Sequence, residues 1–130
     1  MSRFLVDTQL LVWNANKSRR LPARVERLFR DGRHEFFASV ASIWEVAIKA
    51  PLGKKGFDAE LGPLRKSLVE SGFRELPVTG AHAVAIERLP LLHGDPFDRL
   101  LVAQALVEPM VLVTTDVRLG AYPGNIEVIE

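Results

Sequence analysis

Apolar residues in this chain follow two rhythms, short unbroken runs and longer stretches spaced three to four apart, and the two alternate from end to end. Phe4-Leu5-Val6, Glu35-Phe36-Phe37-Ala38, Met110-Val111-Leu112-Val113-Thr114 and Ile126-Glu127-Val128-Ile129 read as strands, with Glu75-Leu76-Pro77-Val78 as a further short one. Between them a short helix is expected over Thr8 to Trp13. Pro22 opens a second carrying Val25, Leu28 and Phe29, with Gly32 as its stop. Ser39 is placed to cap a third, which carries Val40, Ile43, Trp44, Ala47 and Ile48 until Pro51. Gly53-Lys54-Lys55-Gly56 is a loop. Further helices are expected from Ala59 to Ser71, stopped by Gly72, and from Ala81 to Arg88. A last one starts with Asp95 at its N-cap, Pro96 at its first position and Asp98 at its third, where a side chain can reach back to the cap. Runs such as Val111-Leu112-Val113 lack alternation, as strands covered on both faces do, so the expected fold is a three-layer α/β domain with a mostly parallel sheet.

Composition narrows the chemistry. With 130 residues and 48% hydrophobic side chains, residues 1–130 form one domain with a substantial core. The absence of cysteine excludes disulfides, thiol nucleophiles and cysteine-bound metals, and fits a reducing cytoplasm. No long apolar run follows the N-terminal charge, so a soluble protein with no membrane segment is expected. Net charge is only +1, but Lys17, Arg19, Arg20, Arg24, Arg27, Arg30 and Arg33 crowd one stretch, and Lys49, Lys54, Lys55, Arg65 and Lys66 another. Such groups serve either as solvated faces or as phosphate contacts.

The acids are more informative. In open parallel sheets functional groups gather beyond the carboxyl ends of the strands. Asp7 and Asp116 follow strands directly, Glu45 lies two turns into the Ser39 helix, and Asp98 opens the helix before the last acid's strand. Each also has a purely structural reading: Asp7 and Asp116 as turn formers, Asp98 as half of a capping box, Glu45 as a solvent-facing helix residue. Glu45 resists its own, because Ala41, Ile43, Trp44 and Ile48 suggest burial nearly all round, where a carboxylate requires a partner. Four carboxylates in one cleft repel unless one is protonated or a cation is present. Hard oxygen ligands without cysteine favour Mg²⁺ or Mn²⁺, suited to activating a water against a phosphodiester.

The chain resembles the PIN domain family, specifically the VapC-type toxin ribonucleases of toxin-antitoxin pairs. Four pieces carry the resemblance: Leu5-Val6-Asp7-Thr8 with Leu11 and Trp13; residues 38–49, including Ser39, Trp44, Glu45 and Lys49; residues 89–105, including His93-Gly94-Asp95-Pro96-Phe97-Asp98-Arg99; and Leu112-Val113-Thr114-Thr115-Asp116. Their order and spacing cover nearly the whole length. The resemblance implies an α/β/α PIN-like fold and a Mg²⁺-dependent endoribonuclease, with Mn²⁺ as a substitute. It implies an acidic quartet of Asp7, Glu45, Asp98 and Asp116. Asp7, Asp98 and Asp116 then bind metal, and Glu45 does so through water or orients the nucleophile. Thr8 and Thr114 match the family's supporting hydroxyls. It further implies a homodimer in the cytoplasm, an RNA substrate and a small cognate antitoxin, through which alone DNA is contacted.

Other residues take lesser parts. Asp95 is expected mainly as the helix cap, with metal contact only through solvent. Arg99 is expected to pair with an acid or a phosphate, or to sit in a surface ion pair. His93 is read as a loop residue bonding the helix start, His34 and His82 as structural or exposed, and Trp13 and Trp44 as core. Two other functions share this pattern: a PIN-like binding module without turnover, and a receiver-like Mg²⁺-binding phospho-acceptor. The latter needs adjacent acids after the first strand and a late lysine. Asp7 stands alone and no lysine follows Lys66.

Overall fold

The structure, a computed structural model, describes residues 1–92 and 94–130. The expected role of His93 lies outside the described residues. The strands are β1 (Arg3–Val6), β2 (Glu35–Ser39), β3 (Arg74–Leu76), β4 (Val111–Thr114) and β5 (Ile126–Val128). They form one sheet in the order β3-β2-β1-β4-β5, and every pairing is parallel. The helices are α1 (Thr8–Ala15), α2 (Ala23–Phe29), α3 (Val40–Lys49), α4 (Leu61–Glu70), α5 (Gly80–Ala85) and α6 (Pro96–Val107). Short 3-10 turns at Ile86–Arg88 and Val117–Ala121 complete the chain.

Side chains along a strand point to opposite faces in turn, and each face is covered here. Phe4 and Val6 of β1, Phe36 and Ala38 of β2, and Val113 of β4 join one core with Leu10, Leu11, Val25, Val46, Leu64 and Leu68 from α1 to α4. Leu5, Phe37 and Leu112 join the other with Leu101, Val102 and Ala105 of α6 and Leu119 of the last turn. Helices on both faces of a parallel sheet make the three-layer α/β/α architecture that the unbroken apolar runs predict.

Connection order places the site. From β1 the chain steps outward to β2 and β3, then returns across to β4 and β5 on the other side of β1. The direction therefore reverses between β1 and β4. A crevice opens at that point beyond the carboxyl ends of the strands. Asp7 N–H donates to Val113 O at 2.9 Å, which carries the β1–β4 ladder to the edge of the crevice.

The expected boundaries shift in a few places. Strand β3 ends at Leu76 because Pro77 has no N–H for the ladder. Gly62 and Pro63 fall in the first turn of α4, where N–H groups lack helical partners and proline is tolerated. α3 stops at Lys49, with Ala50 as a still-helical cap and Pro51, which has no N–H to continue the ladder, directly after it. One reading is overturned: Trp44 is not core but 57% exposed, its ring lying edge-on to Phe97 with centroids 5.0 Å apart. α3 buries Ala41, Ser42, Glu45 and Val46 and leaves Val40, Trp44 and Ile48 outside, so its apolar residues occupy two faces and only one is covered. Trp13 does pack against the core.

Candidate active site

Three of the site's acids begin helical segments, and capping sets their position. Asp7 Oδ1 accepts from Thr8 N at 2.8 Å at the start of α1. Asp95 Oδ1 accepts from Phe97 N at 2.9 Å and Asp98 N at 3.4 Å, the expected cap of α6. Asp116 Oδ1 accepts from Arg118 N at 3.0 Å at the last turn. Helix N-termini favour anionic groups, so each acid is stabilised where it is also structurally useful.

Hydroxyls lock the acids together. Thr114 donates from Oγ1 to Asp7 Oδ2 at 2.6 Å and accepts from Asp116 N at 3.0 Å, so one buried threonine orients two acids. Thr8 lies 2.6 Å from Glu45 Oε1 and 2.8 Å from Ser42 Oγ. Glu45 is only 2% exposed, and Lys49 Nζ meets its Oε2 at 2.6 Å. Thr8 and Lys49 are the partners that its burial requires. Lys49 Nζ is also 2.6 Å from Asp95 Oδ2.

The result is a cleft of about 370 Å³ lined by Asp7, Gln9, Glu45, Lys49, Phe57, Asp95, Asp98, Thr115, Asp116 and Arg118. All four acids picked from the sequence line it, and Asp95 makes a fifth. Burial pushes Asp98 up to about 8, reinforced by the charges of Asp7, Asp95 and Glu45 and opposed by Lys49. Asp7 rises to about 6, again through burial; Thr114 opposes the rise while Glu45 and Asp116 add to it. Asp95 goes the other way. Burial would raise it, but Lys49 and the two capping amides outweigh burial and hold the carboxyl below its ordinary value. The same contacts raise Lys49 despite its own burial.

These directions describe a cleft with more negative charge than it neutralises. Five carboxylates face two cations, Lys49 and Arg118. Oxygens of Glu45, Asp95 and Asp98 lie within 4.8 Å of one another, an all-oxygen set of the kind that hard divalent ions take. Lys49 already engages two of these three acids, and with Asp7 and Asp116 added the cleft offers carboxylate oxygens beyond those the lysine holds, a donor set that fits a divalent cation.

Two readings of basic residues change. Arg99 makes no ion pair with an acid among the described residues: its guanidinium donates to Pro90 O at 3.0 Å and Ile86 O at 3.3 Å, tying α6 to the preceding turn. Lys49, grouped in sequence with surface cations, lies in the cleft, and its spacing of four from Glu45 on one helix is the signal that finds it. Arg118 grips Asp116 with Nε and Nη2, at 3.1 and 2.9 Å, two residues along the same turn. Gln9 and Phe57 reach the rim with no sequence signal. Other members of the basic clusters sit in exposed ion pairs, Arg24 with Glu127, Arg30 with Glu26 and Arg65 with Glu75.

Of the other histidines, His34 is structural, accepting from Ser2 N at 3.1 Å. His82 is fully buried. Its Nδ1 accepts from Thr79 N at 3.0 Å, and its Nε2 lies 2.5 Å from Glu108 Oε2.

Several solved structures share this fold. VapBC2 of Rickettsia felis, bound to a promoter DNA fragment, matches with a TM-score of 0.68 and 15% identity over 98% of this chain and 99% of that one. DNA-bound VapBC of Salmonella typhimurium matches at 0.67 and 19%, over 98% of each chain. PAE2754 of Pyrobaculum aerophilum matches at 0.56 and 26%, over 98% of this chain and 84% of that one. No curated protein matches the sequence. The PIN domain family matches residues 4–125, nearly the full length, and the chain belongs to that family.

Proposed function

We propose that this chain is a divalent-metal-dependent endoribonuclease and the toxin of a toxin-antitoxin pair. The observation that carries the reading is the convergence of Asp7, Glu45, Asp95, Asp98 and Asp116 in one cleft at the reversal point of the sheet, with burial and mutual repulsion raising Asp7 and Asp98 above ordinary carboxyl values. Lys49 and Arg118 offset only part of that negative charge in the resting protein. The rest becomes favourable when a cation enters.

Asp7, Asp98 and Asp116 hold the ion, Mg²⁺ with Mn²⁺ as a substitute. When bound, it supplies a polarised water and positive charge against a phosphodiester. Thr114 sets the facing angle of Asp7 and the backbone at Asp116. Thr8 fixes Glu45, and Arg118 restrains Asp116 at the mouth. Phe57 and Lys49 complete the lining of the cleft.

RNA as the substrate and an antitoxin as the partner are supported by family membership and by the VapBC structures of the same fold. A protein partner is further supported by Val40, Trp44 and Ile48, an exposed apolar row on α3. Homodimerisation and a cytoplasmic location belong to the same reading. Among the described residues no helix is long and apolar enough to cross a membrane. DNA contact is assigned to the antitoxin alone.

The test is cleavage of a mixed pool of structured RNAs with Mg²⁺, with Mn²⁺ and with chelator, beside Asp98→Asn. Cleavage in either metal, lost in chelator and in the variant, is expected. Activity that survives chelation sinks the metal role. A folded protein inert on every RNA favours the binding-module reading.

A further inference from the structure

We propose that Lys49 takes the place of a second metal ion, so that the centre works with one divalent cation and one fixed ammonium. The proposal rests on the nuclease reading above and deepens it. Nucleases that use two ions set them about 4 Å apart to clamp the attacking and leaving oxygens of an in-line displacement. On this proposal the Lys49 ammonium fills one of the two positions.

Four groups define the ammonium's position. Glu45 Oε2 and Asp95 Oδ2 each lie 2.6 Å from Nζ. The Phe57 ring centroid is 4.6 Å away and that of Phe97 5.4 Å. A ring face attracts an ammonium but gives Mg²⁺ no ligand, and Mg²⁺ demands a near-octahedral shell of oxygens at about 2.1 Å. Two carboxylates and two aromatic faces therefore suit a nitrogen cation, and while the ammonium holds both carboxylates a hydrated divalent ion cannot take them.

The second shell points the same way. The other Glu45 oxygen is engaged by Thr8, whose hydroxyl also meets Ser42, so the acid is turned toward Lys49 before anything binds. Asp95 is fixed independently, as the cap of α6. Lys49 sits one turn beyond Glu45 on α3, so the charge is tethered and cannot be diluted or chelated away. That divides the five acids by task. Glu45 and Asp95 hold the lysine, and Asp7, Asp98 and Asp116 would hold the ion, with Asp7 oriented by Thr8 N and Thr114 and Asp116 by Arg118.

The experiment counts Mn²⁺ per chain by calorimetry and electron paramagnetic resonance on the full-length protein, and reads cleavage of labelled total RNA against Mn²⁺ concentration. Wild type is expected to take up one ion, with a rate first order in Mn²⁺. Lys49→Met keeps the stem between the rings and frees Glu45 and Asp95. It is expected to bind two ions and to cut about 100-fold more slowly at the Mn²⁺ level that saturates wild type. Its rate should recover at higher Mn²⁺ with second-order dependence. Lys49→Arg retains a charge and should bind one ion. Two ions on wild type would overturn the proposal and leave the nuclease reading standing, and this count needs no variant to fold. One ion on Lys49→Met with an unchanged rate would also overturn it. No Mn²⁺ uptake and no cleavage by wild type would overturn both.

Discussion

Asparagine at Asp98 removes the charge and keeps the shape, and the two consequences have opposite signs. Metal binding and cleavage should be lost, while the chelated protein should gain about 2 kcal/mol of stability at pH 8, because a buried carboxyl repelled by Asp7, Asp95 and Glu45 is neutralised. The direction with pH follows from the same shift. Asp98 stands at about 8 in the fold against an ordinary 3.8, and Asp7 at about 6, so between pH 5 and 8 the native state keeps protons that the unfolded chain has released. Stability without metal should therefore fall as pH rises through that window, and the advantage of Asp98→Asn should grow with it. Chelated thermal melts at pH 5, 6, 7 and 8 check this; an advantage that shrinks toward pH 8 contradicts it. Thr114→Val probes orientation instead. It deletes the 2.6 Å bond to Asp7 and strands the Asp116 amide, which should cost about 1 to 3 kcal/mol in urea unfolding and lower cleavage as well.

Helix starts do most of the positioning at the level of elements, which explains what could be read beforehand. Caps are local: Asp95, Pro96 and Asp98 announce α6, and Ser39 announces α3, within four residues of sequence. The acids at strand ends were legible for the same reason, since a strand followed by an aspartate and a helix places that aspartate at the sheet edge. Long-range pairing was not. Nothing near Lys49 reveals Asp95, forty-six positions on, and nothing in the loop before α4 announces that Phe57 reaches the rim. Trp44 misled because apolar spacing measures hydrophobicity, not which of two faces meets the sheet. Asp95 itself can be divided by substitution. Asn keeps a capping oxygen and loses most of the attraction to Lys49; Ala loses both. Asp95→Ala should therefore unfold at about 1 kcal/mol less than Asp95→Asn, the size of a lost cap, and equal midpoints would show that the cap contributes nothing.

For the molecule as a whole, the sheet order decides when the site can exist. β1 carries Asp7 yet lies at the centre, bonded on one side to β2 and on the other to β4, whose residues come more than a hundred positions later. A chain ended at residue 109 lacks β4, β5 and Thr114, leaving the inner edge of β1 unpaired and Leu5 and Val6 without half their cover. Such a truncation should show no cooperative unfolding transition by circular dichroism. Pairing over so long a separation is slow to form, because the loop must close before the contacts stabilise it. During synthesis, then, Asp7 is made long before Asp98 and Asp116 and waits for both. On the nuclease reading, a growing chain therefore has no assembled centre, and none can form until β4 has been made and has paired with β1.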